Sequence, residues 1–123
     1  MGIYEDISSA MVSIEKGDQD GTLVAEFCFD KDLEFFKGHF PDMPILPGVM
    51  QIDMVRFAVE KAFGNTYRLV KIKKTKFMEQ VLPGDLIKAV ITTEKKDTLS
   101  VRAKLSVKEK SVGSIIMELS ASE

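Results

Sequence analysis

Residues 48–63, GVMQIDMVRFAVEKAF, run sixteen positions without an internal glycine or proline, between Pro47 and Gly64. A proline just before such a run and a glycine just after it are helix start and stop signals, so the stretch predicts one helix roughly 24 Å long. Its apolar residues, among them Val49, Met50, Ile52, Met54, Val55, Phe57 and Phe63, surround nearly the whole circumference. A helix apolar on all sides has to be enclosed rather than laid on a surface. The rest of the chain must supply the enclosure.

That rest reads as strand. Residues 10–16 and 22–29 alternate apolar and polar on either side of Gly17-Asp18-Gln19-Asp20-Gly21, which predicts a hairpin. In the second arm Leu23, Ala25, Phe27 and Phe29 share one face by the two-residue period of a strand. Four further runs, 68–77, 86–94, 98–108 and 112–121, are separated by turn signals at Leu82-Pro83-Gly84-Asp85, Lys95-Lys96-Asp97 and Lys110-Ser111. In the third run Leu99, Val101, Ala103, Leu105 and Val107 alternate with Ser100, Arg102, Lys104, Ser106 and Lys108, leaving one face wet. The expected order is two strands, the buried helix, then a four-strand meander: an α+β chain whose largely antiparallel sheet curls around one helix.

Composition excludes several other classes. With 123 residues, 45% hydrophobic and 29% charged, the chain fits one domain, 1–123, with a real core. The single cysteine, Cys28, can neither close an intrachain disulfide nor supply a cysteine-rich metal site, which makes a reducing cytoplasm the expected compartment. No run of 18 apolar residues exists to span a membrane, and the opening MGIYEDISSAMVSIEKGD lacks the order of a secretory signal, so a soluble, unexported protein is expected. A net charge of −2 argues against a general nucleic-acid binder. Charge is nevertheless uneven: residues 1–35 hold nine acids and two bases (−7), while 68–76 hold five bases and no acid (+5).

The densest chemistry lies in Phe35-Phe36-Lys37-Gly38-His39-Phe40-Pro41-Asp42-Met43-Pro44-Ile45-Leu46-Pro47-Gly48. Three prolines spaced by three fix φ repeatedly and stiffen the loop, as suits a site residue that must keep a preset geometry. His39, the only histidine, reads either as a packed, hydrogen-bonded side chain or as a general base. At about 100° per residue, Val49, Met50 and Phe57 fall within about 60° of Asp53 on the helix, setting a carboxyl group among apolar neighbours that favour its neutral form. On spacing alone Asp53, Arg56 and Glu60 equally read as an ordinary charged stripe. Pro47 has no N–H, so Gly48 supplies the first free donor at the positive end of the helix, with no side chain in the way.

Residues Gly38 to Asp53 closely resemble the active-site segment of the 3-hydroxyacyl-[acyl-carrier-protein] dehydratases, the FabZ/FabA-type hotdog-fold enzymes. Val81-Leu82-Pro83-Gly84-Asp85 is similar to that family's later strand-turn signature, and the likeness covers most of the chain from about Thr22 onward. The resemblance implies a hotdog fold, a curved antiparallel sheet wrapped around one long helix. It implies dehydration of (3R)-3-hydroxyacyl thioesters to trans-2-enoyl thioesters, in fatty-acid or related lipid or polyene biosynthesis, with no metal or other cofactor. His39 matches the catalytic histidine and Asp53 its acidic partner; Gly48, with a backbone donor near Phe40, matches the thioester-oxygen site. Met50, Met54 and Phe57 would line an acyl tunnel, although helical methionines also serve as plain core. Lys71, Lys73, Lys74 and Lys76 would dock an acidic acyl-carrier protein, or form a solvated strand face, and the thioester would be carried by that protein or by coenzyme A. The family is built as homodimers in which the histidine of one subunit faces the acid of the other, so one copy would hold no complete site.

The sequence departs from the family pattern in four places. No His-Arg-Tyr-Pro-Phe-type element precedes Thr22; Asp53 stands in a context that more often carries Glu; Phe57 stands where relatives often have Gln; and Arg56 lies one helical turn from Asp53. Two other readings of the same fold stand beside the dehydratase: a thioesterase or enoyl-thioester hydratase, and a non-catalytic acyl-binding subunit. The thioesterase needs a carboxylate placed to activate water, and a decayed subunit commonly loses either the histidine or the acid.

Overall fold

The computed structural model describes residues 3–33 and 45–121. The chain runs α1 (Ile3–Ala10), β1 (Met11–Lys16), β2 (Thr22–Cys28), α2 (Gly48–Phe63), β3 (Tyr67–Phe77), β4 (Leu86–Lys95), β5 (Leu99–Val107) and β6 (Lys110–Ala121). The six strands form one antiparallel sheet in the order β1-β2-β4-β5-β6-β3, and α2 lies against its inner face, which is the hotdog architecture.

Alternation decides which face holds the helix. Leu23, Ala25 and Phe27 on β2, Ile87, Ala89 and Ile91 on β4, Val101, Ala103 and Leu105 on β5, and Ile115, Met117 and Leu119 on β6 are all buried against α2. The polar residues between them face outward. At roughly 1.5–3 kcal/mol for each large apolar side chain removed from water, this shared core is the main force holding the helix inside the sheet.

Helix α2 keeps the bounds its flanks dictate. Pro47, in the extended region at φ −67° and ψ 156°, accepts from the Met50 and Gln51 N–H groups at 3.1 Å, and Gly64 ends the helix in the left-handed region at φ 63°. The enclosure is less complete than the sequence suggests: Val49 is 68% exposed and Phe63 is also open, because each sits at an end of α2 beyond the reach of the sheet.

Three further differences concern pairing and local structure. The last four strands do not form one meander: β4, β5 and β6 do, whereas β3 crosses to the far edge and pairs only with β6. Two register shifts, between Leu69 and Lys71 and between Ile72 and Lys74, interrupt that ladder. The β5–β6 turn falls at Lys108 and Glu109, with φ of 52° and 66°, and not at Lys110-Ser111. Two successive positive φ values suit the twist of a two-residue hairpin, here without the usual Gly or Asn. Finally, α1 precedes β1 and buries Ile7 and Ala10 against the core.

Candidate functional site

The start of α2 is where the fold leaves polar groups open. Pro47 offers no side-chain cap, and among the described residues no acceptor is found for the Gly48 N–H. The first N–H groups of a helix point along its axis at the positive end of the dipole, so an unclaimed donor there suits a developing negative oxygen. Two contacts hold the approach to this end: the Leu46 N–H donates to Val81 O at 2.8 Å, and Gln51 Nε2 donates to Leu46 O at 3.1 Å. Gln51 is buried, and its Oε1 has no partner among the described residues.

Asp53 lies about 7.5 Å further along the axis, five residues at 1.5 Å each. Its side chain is 31% exposed and beside the open Val49, so it is not sealed among apolar neighbours as the helical wheel suggests. Arg56 reaches it: Arg56 Nη2 stands 3.5 Å from Asp53 Oδ1. That is the longest of three contacts. Arg56 Nη1 donates to Tyr67 O at 3.0 Å and faces Glu60 Oε2 at 3.4 Å, while the Tyr67 N–H donates to the same Glu60 oxygen at 2.7 Å. The charged stripe is therefore real, and its strongest ties tether the end of α2 to the beginning of β3.

The other candidates are distributed as follows. His39 and Phe40 lie outside the described residues. Met50, Met54 and Phe57 are all buried in the core between α2 and the sheet. Two surface clefts, of about 600 Å³ near the β1–β2 hairpin and about 300 Å³ between β2, β4 and β5, touch no residue of α2. Among the described residues no group of three or more His, Cys, Asp or Glu side chains could hold a metal ion.

Strand register sorts the lysines. Lys74 pairs with Ile116 and Lys76 with Ser114, residues that alternate with the buried Ile115 and Met117, so both lysines point to the outer face. Arg102 pairs with the same Ile116 and Lys104 with the same Ser114 from the other side. Four cations thus straddle β6 in two adjacent cross-strand rows with no carboxylate between β3 and β5, a basic array that extends the β3 run onto β5. Lys73 is engaged differently, donating to Glu118 Oε2 at 2.9 Å. This hydrogen bond holds the Glu118 carboxyl below its ordinary value; a hydrogen bond from Thr98 and the Lys71 charge act in the same direction, against desolvation.

Sequence reasoning did not single out Phe77. It ends β3 on the inner face opposite Gly113, and its ring lies against Gly48 so closely that a Cβ added to Gly48 would stand 2.6 Å from Phe77 Cε2. The space at the Gly48 Cα is taken by this ring.

Comparison with known proteins bears on the family and the fold. The sequence model of the ApeI-like family, described as ApeI dehydratase, matches residues 14–114. The 3-hydroxyacyl-[acyl-carrier-protein] dehydratase FabZ of Lactobacillus helveticus is 42% identical over 69 residues, covering 50% of this chain and 47% of that protein. FabZ of Francisella tularensis subsp. novicida is 33% identical over 87 residues, covering 56% and 53%. The chain spans about half the length of these curated relatives. The dehydratase heterocomplex ApeI:P from Xenorhabdus doucetiae shares the fold with a TM-score of 0.77 at 23% identity, over 89% of this chain and 96% of that one.

Proposed function

The chain belongs to the ApeI-like dehydratase family, and from that membership we propose that it removes water from (3R)-3-hydroxyacyl thioesters to give trans-2-enoyl thioesters. The observation that carries the reading is the start of α2, where the Gly48 N–H, with no acceptor among the described residues, stands about one and a half turns before a half-open Asp53. A donor for a thioester oxygen and a carboxyl group for a departing hydroxyl are the two fixed points this reaction needs.

In the proposed mechanism the thioester oxygen accepts from the Gly48 N–H and from a backbone donor near Phe40. His39 takes the α-proton as the Cα–H bond breaks, and the negative charge gathers on the oxygen held at the helix start. That electron pair then forms the Cα–Cβ double bond as the Cβ–O bond breaks, and Asp53, entering the step protonated and released from its 3.5 Å contact with Arg56, gives the hydroxyl its proton directly or through a water. Water leaves, and the proton held by His39 returns to Asp53 through solvent. No metal or cofactor takes part in these steps. The acyl chain runs beside α2 past Met50, Met54 and Phe57.

The same reading assigns a partner and a setting. A second copy covers the open edge of β3, where Leu69 and Ile72 face inward yet remain exposed, and its His39 faces the first copy's Asp53. Lys71, Lys73, Lys74 and Lys76 steer an acidic carrier protein bearing the acyl group, in the cytoplasm, for fatty-acid or related lipid or polyene synthesis.

Purified protein incubated with carrier-bound 3-hydroxyacyl thioesters of several lengths, and with their coenzyme A analogues, should yield the enoyl thioester by mass spectrometry. Release of free acid would replace the reading by thioester hydrolysis, and no conversion at any length would leave an acyl-binding subunit.

A further inference from the structure

We infer that Phe77 is the positioning residue for the donor end of α2: its ring, wedged between Gly48 on the helix and Gly113 on β6, sets where the Gly48 N–H stands. The inference rests on the proposed role of that N–H in holding the thioester oxygen.

Three observations converge on the ring. A Cβ added to Gly48 would lie 2.6 Å from Phe77 Cε2 and 3.0 Å from both Cδ2 and Cζ, so the flank of the ring is in direct contact with the glycine. Opposite Phe77 in the ladder, a Cβ added to Gly113 would lie 3.3 Å from Phe77 Cδ1 and 2.9 Å from Lys76 O. Both distances are shorter than ordinary carbon contacts of about 3.5–4.0 Å, so each glycine is the residue that lets the ring and its strand approach. Just beyond Phe77 the chain is fixed by backbone bonds, Met78 N–H to Val112 O at 2.9 Å and Leu46 N–H to Val81 O at 2.8 Å. The ring at Gly48 and the Leu46–Val81 bond thus brace the helix start at two points, both supplied by the end of β3 and the segment after it.

This changes why position 48 is glycine. The sequence suggests a bare Cα that leaves room for substrate; the structure fills that room with an aromatic ring. Donors act on a developing oxyanion only at about 2.7–3.1 Å, and a misplacement near 1 Å can cost about 10²-fold. A ring that fixes the helix end against the sheet therefore works through Gly48 without touching the reacting atoms.

The test is a double-mutant cycle on the full chain, with kcat, KM and thermal stability measured for Gly48→Ala, Phe77→Ala and the double variant, and Phe77→Leu as the conservative control. Gly48→Ala alone should lower kcat about 10²-fold, because the new methyl collides with the ring and displaces the donor. Phe77→Ala should lower kcat roughly tenfold with a smaller change in KM, and Phe77→Leu should recover most of that loss. The double variant should match Phe77→Ala, recovering about tenfold over Gly48→Ala, since the methyl then occupies the vacated space. Independent, additive losses in kcat would overturn the inference and return position 48 to substrate access. A wild-type chain inactive on every 3-hydroxyacyl thioester would overturn the functional reading instead. In that case additive stability losses would overturn the packing of ring against glycine as well, and non-additive losses would uphold it.

Discussion

The two ends of α2 are built from opposite choices. At the far end a set of side-chain and backbone bonds ties helix to strand: Glu60 accepts from the Tyr67 N–H, Arg56 donates to Tyr67 O, and the Gly64 N–H donates to Glu60 O at 2.9 Å. At the near end Pro47 gives no side-chain cap and the Gly48 N–H is left for something outside the described residues. Satisfied polar groups cost little and hold a fold in register, whereas a donor left without a partner at a helix start suits a developing negative oxygen. Arg56 is the joint between the two regimes, with two contacts to the pinned end and its longest to Asp53.

Mutations should separate the two ends cleanly. Asp53→Asn should lower kcat by about 10²–10⁴-fold while leaving thermal stability nearly unchanged, because the side chain is half-open and makes one loose ion pair. Steady-state kinetics beside a melting curve check both halves of that statement. Glu60→Ala should do the reverse, costing about 1–3 kcal/mol of stability by stranding the Tyr67 N–H and the Arg56 guanidinium, with kcat altered only a few-fold. Denaturant titration measures it, and a stability loss below that range would mean the network is ornamental. Gly64→Ala meets no atom within 4 Å, so it should cost about 1 kcal/mol from the left-handed backbone alone. The smallest effect belongs to the pair that continues the pinned region into the β3 edge. With its native value lowered by Lys73, Glu118 adds stability above the ordinary carboxylate value of 4.5 and loses it as the pH falls below that. The small difference in melting temperature between wild type and Lys73→Met should therefore be present at neutral pH and fade on acidification below 4.5.

Much of this contrast was legible in the residues. Pro47 and Gly64 set the helix bounds because capping is local, and Pro47, with no N–H, marked Gly48 as the first free donor. Alternation located five of the strands closely. What escaped was non-local or unsigned: the pairing of β3 with β6 joins segments distant in sequence and is broken by two register shifts. The Lys108-Glu109 turn carries neither glycine nor asparagine, and α1 is eight residues long and depends on burying Ile7 and Ala10. Phe77 gave no sign at all, since its meaning lies in two glycines that only the folded chain brings to it.

Under the proposed function the open end of α2 becomes an active site only when His39 of one copy meets Asp53 of another. Mixing inactive His39→Ala and Asp53→Asn chains, unfolding and refolding them together, tests it directly. Random pairing makes half the dimers mixed, each with one intact site of two, so about a quarter of wild-type dehydratase activity should return. No activity above that of the separately refolded variants would contradict a site shared between copies.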